Sequence, residues 1–590
     1  MHRATAISFT ALRARPVRWS GLLALTVLLA ACGGGGGGSS DAKTETSPMA
    51  QMAATLVSPT TQLDAVRLAN QASFGPSEAL VAEIRNKGRR SWVVEQLGLS
   101  ESAYVLGGNG AIHQNTSTSE FCDLPAQAAV KANGTCWRDW YTERPLAWDF
   151  YRNAIGKKDQ LRQRVALALS QIAVVSANTV TATYGLRNYQ NKLLELSFSN
   201  YRDVLRAVAL SPVMGDYLNG VNNDKAAPNE NFARELLQLF SLGPCLLNAD
   251  GELANNRCDP VYDNTQVRNY AYAMTGWTFP AGGATHWGCP TGWNCRYYGG
   301  DMVSRSAFHD TAQRTLLAGV TVPAGSSAES ALDKVLDSLM AHQNIAPFIS
   351  KQLIQHLVTS NPSAAYVNRV ADAFRNGRFQ VSGSATVGTG RKGDLSATVA
   401  AILLDAEAQR TTALAGDGRL REPAMLIPAV FRALNGVSDG QEIWWWGVML
   451  QQPVFNAPSV FNFFPPDYPV PGTSVVGPAF GVFSANTGLT RLNFLTSVLW
   501  WSHTPDTTTP ALPDGTNGQR INLTPFESDA TQPDVLVDRL SAFLIGKQLP
   551  AAARAKVIEA VAAYNTSERT LRVKQAAYLV LASPQFQVLR

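Results

Sequence analysis

The densest group of chemically capable side chains in this sequence falls within seven residues: Asn229, Glu230, Asn231, Phe232, Ala233, Arg234 and Glu235. Two carboxylates, a guanidinium and two amides could hold a metal ion or orient a polar substrate. Glu230 and Arg234 are four apart, as are Asn231 and Glu235, so on a helix each pair shares a face. A structural reading is also open: Asn229 caps the helix, Glu230 sits well in its first turn, and the charges pair on the surface. A helix needs a cap and an apolar stripe, which Phe232, Leu236, Leu239 and Phe240 supply, but it does not need so many polar groups at one end. Glu235 is expected to be the more buried carboxylate, to pair with an arginine and to line one cleft with His309 and Asp310. His309 could act as a base or ligate a metal, and the acid beside it could tune it. The alternative is a loop histidine that caps the helix after it.

Aromatic residues give a third candidate. Trp277, Trp287 and Trp293, with Tyr297 and Tyr298, surround Cys289 and Cys295. Exposed rings there could stack on sugars or receive an anchor residue of a partner, and the competing reading is loop packing. Trp444, Trp445 and Trp446 cannot all face one way on a helix, so part of that cluster should be exposed. The sequence has no His-Glu-x-x-His, no P-loop, no dinucleotide glycine fingerprint and no Gly-x-Ser-x-Gly. It specifies no metal and no cofactor. His342 and His356 lie on apolar helices and read as packing residues.

These groups need a scaffold, and the periodicity predicts a helical one. A helix over 77–88 carries a serine cap and a terminal glycine. Others are expected over 159–177, 188–198, 201–210, 229–242, 265–274, 330–341, 346–359, 364–376, 395–406, 422–434, 485–501, 533–543, 551–564 and 568–581. Few stretches alternate with period two, so the fold class is mainly α, one large multi-helix domain with few short strands. Long polar loops at 107–136, 244–263, 277–308, 379–393, 453–484 and 503–532 interrupt it. Loops of that length are unusual unless functional or stapled.

The N-terminus carries its own signal. Arg3, Arg13, Arg15 and Arg18 form a basic segment without an acid, followed by the apolar run from Leu22 to Ala31. Ten residues of helix reach only about 15 Å, half a bilayer, so this is a secretory h-region rather than a span. It ends in Leu29-Ala30-Ala31-Cys32, which resembles the bacterial lipobox, and Cys32 is the expected lipid attachment site. Residues 1–32 are therefore read as a lipoprotein signal with lipobox, and 33–60 as a flexible Gly/Ser-rich tether. Glycine rather than aspartate after Cys32 implies sorting to the outer membrane. Removing the four arginines of the signal takes the net charge from +5 to +1, which gives no electrostatic case for nucleic acid.

Of the seven cysteines, six remain beyond the anchor. They fall into local couples: Cys122 with Cys136, Cys245 with Cys258, and Cys289 with Cys295. In an oxidising compartment these read as disulfides, and the spacing of a zinc site is missing.

Several words together resemble one bacterial family, the domain of unknown function 1800. They are RLANQASFGP from Arg67, NENFARELLQLFSLG from Asn229, VRNYAYAMTGW from Val267 and FHDTAQRTLLAG from Phe308. NIAPFISKQLIQHLV from Asn344, GDLSATVAAILLD from Gly393, LREP from Leu420 and PSVFNFFPPDYPVPG from Pro458 continue the series. The resemblance covers about 62–588 and implies a helical, exported protein without an established activity. Arg314 stands where the family's word usually has Lys. Family members are often encoded beside a second exported family with a phosphatase- or sulfatase-like fold, which implies a partner of that kind.

Two functions follow as expectations. One is a lipid-anchored envelope protein that binds or assembles with another exported protein. The other is a hydrolase acting on an extracellular polymer, with Glu230, Arg234, Glu235, His309 and Asp310 as its acid–base or metal set.

Overall fold

Helix signals in the sequence translate closely into structure. The computed structural model describes residues 47–412, 414–501 and 518–590, so Cys32, the basic segment and the glycine tract lie outside the described residues. Ser77 Oγ accepts the Leu80 N–H, and Gly88, at φ 81°, ends the helix Glu78–Lys87. Asp263 and Gln266 form a reciprocal capping box at the head of Asn264–Ala273. Twenty-five α-helices are present among the described residues, and strands occur only as two-residue to four-residue ribbons.

One continuous apolar core runs through the molecule. Leu395–Leu404 is apolar all round and buried on all sides, as such a helix must be. Ile345–Leu357 packs against Ala364–Asn376, Leu395–Leu404 and Gln160–Ile172. The helices Pro533–Leu544, Ala551–Ala562 and Arg569–Ala582 pack together near the C-terminus, and the first of them also packs on Gln62–Ala72. A short antiparallel ribbon pairs Leu420 with Val588 and Arg419 with Leu589. The last residues of the chain are thus held against residues 419–420, near the helix Gln62–Ala72, with which they line one cavity. No helix among the described residues is long and apolar enough to cross a membrane.

Three features depart from the sequence reading. The tether expected over 33–60 is too long: Pro48–Thr55 is a helix with Ala53 buried, and Ala53 O accepts from Ser91 Oγ. Pro at the first helical position and an alanine- and methionine-rich face fold a stretch whose composition had suggested a linker. The helix expected over 229–242 is only Asn231–Gln238. Its C-terminal turns unwind because Phe240, Leu242 and Gly243 bond back to carbonyls five or six residues earlier, with Gly243 at φ 77°. Helices at Arg89–Gly98, Arg144–Gly156 and Gln441–Met449 had no clear apolar period. The last carries the tryptophan triplet, and Trp445 is indeed exposed.

The three disulfides join Cys122 to Cys136, Cys245 to Cys258 and Cys289 to Cys295. They close loops with sequence separations of 14, 13 and 6 residues. Each is expected to contribute about 2–3 kcal/mol through the closed loop. Peptide mapping without reductant should recover these three pairs; a long-range pair or a free thiol at any of the six positions would contradict the pairing.

Candidate functional site

The predicted acid cluster separates into two different situations. Glu230 is a half-exposed surface residue whose Oε2 accepts from Arg234 Nη2 at 3.1 Å, with Arg268 at 4.0 Å. Glu235 is buried, as expected from its place beside the stripe, but it has no arginine partner. Its Oε2 is buried without a hydrogen bond, because Arg234 turns to Glu230 instead. Burial raises the Glu235 carboxyl above its ordinary value, with Arg234 pulling weakly the other way. A raised carboxyl makes the fold strongest while it is protonated. That contribution is present below the unfolded value, about 4.3, and is lost as pH rises through the folded value. Glu235→Gln is therefore expected to raise the urea midpoint at pH 7.5 and to leave it nearly unchanged at pH 4. Equal behaviour at both pH values would show that this carboxylate is solvated or paired.

His309 is also buried. Its Nδ1 lies 2.9 Å from Thr275 O, and a carbonyl can only accept, so Nδ1 carries the proton. Nε2 is buried without a hydrogen-bond partner. Gly276 is required here: at φ 86°, a Cβ would fall 2.9 Å from His309 Cα. Asp310 is held by Arg314 through two bonds of 2.7 and 3.0 Å, and that guanidinium lies 3.7 Å from the centre of the Tyr272 ring. The planar guanidinium makes this two-pronged contact, which an ammonium could not. No hydrogen bond or ion pair among the described residues links Glu230 or Glu235 to His309 or Asp310. Glu235 faces Tyr217 and Tyr262, whereas His309 acts on Glu329. What joins the two regions is the Asn222–Asn229 loop, where Gly276 N donates to Asn223 O and Lys225 N to Phe308 O. No group of three His, Cys, Asp or Glu residues is placed to hold a metal among the described residues.

The tryptophan surface is largely consumed internally. Trp277 is buried in a ribbon opposite Ser304. Trp287 packs edge-on to His113 at 5.0 Å, and Trp293 stacks on Phe308 at 4.0 Å. Loop packing is what these rings do.

A different constellation emerges where the last residues of the chain are held against residues 419–420. Arg164, Arg419, Arg421 and Arg491 are all buried, and the only acid among them is Glu422. Glu422 Oε1 takes Arg419 Nη2 at 2.7 Å, and its Oε2 accepts from Gln171 and Gln452. Burial pushes that carboxyl up, yet Arg419 and the amides pull it below its usual value. Burial, with repulsion from neighbouring arginines, brings Arg164 and Arg421 down to about 9. Arg421 touches no carboxylate: it donates to Phe586 O and Asn70 Oδ1, each at 3.1 Å, and lies 4.2 Å from the Phe586 ring centre. Its Nη1 is buried without a partner, as are Arg419 Nη1, Arg164 Nε and two nitrogens of Arg491.

Arg421 forms part of the wall of a cavity of about 550 Å³, with Arg67, Asn70, Gln71, Thr359 and Gln548. Arg67, Asn70 and Gln71 come from Gln62–Ala72. Gln71 is fixed by Arg89 Nη1 at 3.1 Å and by its own bond to Ala408 O at 2.9 Å. Gly418, at φ 102°, lets its loop run against the tail, where a Cβ would meet Leu589 O at 2.3 Å. A smaller cavity of about 80 Å³ touches Arg419, His356 and Asn462.

The family model described as a protein of unknown function, DUF1800, matches residues 67–588. The chain belongs to that family. No curated protein and no solved structure matches it. The DUF1800 match begins at Arg67 and ends at Val588, residues that both line the large cavity. The words RLANQASFGP and LREP had served only to reveal kinship. In this DUF1800 chain they face each other across 351 residues, through the bond from Arg421 to Asn70. A signal for this was present: LREP puts two charges next to a proline that starts a helix, and charged residues are seldom buried without a reason.

Proposed function

We propose that the protein is an exported, lipid-anchored envelope protein, sorted to the outer membrane, that works by binding rather than by catalysis. The cavity walled by Arg67, Asn70, Gln71 and Arg421 carries this reading. Its polar side chains converge from distant parts of the chain, as binding pockets require. Its volume suits a small ligand or the tip of a partner segment. An exported phosphatase- or sulfatase-like protein is the first partner to test. The lipid anchor at Cys32 keeps the pocket at the membrane, and nothing in the charge balance favours nucleic acid.

One observation supports the hydrolase as a second reading. Glu235 is a buried carboxyl with a raised pKa and no partner, which suits a general acid. It lacks a second acid or base at hand, since Asp310 is engaged by Arg314, so binding is preferred.

Gln548 is exposed and lines the cavity, so Gln548→Trp should fill it without disturbing the core. Protein extracted from envelopes in mild detergent should carry a co-purifying molecule that the variant loses. Equal loading of the two proteins would overturn the binding reading.

A further inference from the structure

We propose that the ligand of the large cavity bears a tetrahedral oxyanion, a phosphate or sulfate ester; this rests on the binding reading above. The argument begins with which charges are already satisfied. Arg67 is paired with Asp64, and Arg410 with Glu407 and Asp417. Lys547, at the rim, makes no ion pair among the described residues, and Arg421 in the wall has no carboxylate neighbour. Behind Arg421 stand Arg419, Arg491 and Arg164, against the single negative charge of Glu422. Four cations and one anion leave an excess of three positive charges in a low-dielectric wall. Such a wall projects its potential into the adjoining cavity, and a charge there is felt strongly even without direct contact.

A buried guanidinium without a counter-ion is costly, and a bound anion removes that cost. The geometry of Arg421 narrows the choice of anion. Its Nε and one Nη2 hydrogen already serve Phe586 O and Asn70 Oδ1. That engages its Nε–Nη2 side, one of the two edges with which a guanidinium grips a planar carboxylate by two parallel bonds. Nη1 is itself buried, so an anion in the cavity feels Arg421 through its field and meets the separate ammonium of Lys547 and the amide of Asn70 directly. Donors dispersed in this way match oxygens that point in several directions, as the three free oxygens of a phosphate or sulfate monoester do.

The test uses full-length protein in detergent and follows thermal unfolding with sodium phosphate, sulfate, acetate and chloride at matched ionic strength. Phosphate and sulfate are expected to raise the midpoint saturably, and the tighter of the two names the ester. Lys547→Gln should weaken that apparent affinity about five- to tenfold, the weight of about one charge-assisted contact, and Gln548→Trp should abolish it. Both positions are exposed, so the variants should fold. A rise no greater than with chloride, an equal rise with acetate, or full retention of the effect in both variants overturns the oxyanion assignment. If no oxyanion binds while Gln548→Trp still strips the co-purifying molecule, only the oxyanion falls. If that variant changes neither measurement, the binding reading falls with it.

Discussion

Glu422→Gln should destabilise the fold by about 3–5 kcal/mol, the cost of stranding a buried charge. Glu422 is 1% exposed and is the only acid among four buried arginines. Its carboxylate answers Arg419 directly at 2.7 Å and receives two amide donors. A glutamine keeps the shape but removes the charge, and it presents an NH₂ where two donors already point. Arg419, already carrying an orphaned Nη1, would then be buried without a counter-ion. His356 adds to the effect in acid. Burial brings it to about 4, so it is neutral in the fold at ordinary pH. A depressed histidine value means that stability holds above the unfolded value, about 6.5, and is lost as pH falls towards the folded one. The His356 part of the loss in Glu422→Gln should therefore appear only as pH falls through about 4, where the wild-type imidazole takes up its proton beside Glu422 and the variant's cannot. Urea unfolding with an unchanged slope is the measurement. A loss below about 1 kcal/mol would mean that water reaches this layer and screens it. The double variant Glu422→Met with Arg419→Met should recover part of the loss, since removing both members of a buried pair is far less harmful than removing one.

The second large effect concerns location. Cys32→Ser should move the protein from the membrane fraction to the soluble one. On the proposed lipoprotein reading, Cys32 carries a diacylglyceryl group, with its two acyl chains, through a thioether, which a hydroxyl cannot form. Two chains hold a protein stably at a bilayer, whereas the described part of this chain has no helix able to span one. Intact mass of the mature protein gives an independent check through the loss of the lipid. Unchanged fractionation together with unchanged mass would remove the lipoprotein reading and the localisation that depends on it.

Helices were legible where an apolar period and a cap coincided, as in Glu78–Lys87 and Ala364–Asn376. They were hidden in Arg144–Gly156 and Gln441–Met449, where aromatic side chains on several faces blur the contrast between two sides. Local disulfides were legible because spacing and compartment decide them. The site was harder. In the word NENFARE, residue types were right for chemistry, yet the partner of Arg234 is set by whether a side chain faces water, and it chose Glu230 over Glu235. His309 and Asp310 are adjacent, yet their side chains serve different partners, the imidazole on Thr275 O and the carboxylate on Arg314. The arginine layer could not be read from local spacing. Arg164, Arg421 and Arg491 are far apart in sequence, and only tertiary packing shows that they share one counter-charge.

The ribbon that pairs Leu420 with Val588 also fixes when the protein becomes competent. Its partner strand is among the last residues of the chain, and Phe586 supplies a carbonyl that holds Arg421. A polypeptide threaded unfolded through a membrane emerges with its N-terminal end first. The early helix with Arg67 and Asn70 can fold while the tail is still on the other side, but its pocket has no far wall until that tail arrives. Contacts of such long sequence separation form late and slowly. A translation product stopped short of residue 586 would keep most of its core, yet with the cavity open on one side and Arg421 missing a bond. Ligand capture would then distinguish finished molecules from truncated ones, and a tag fused to the C-terminus would sit at the mouth of the pocket it was meant to report on.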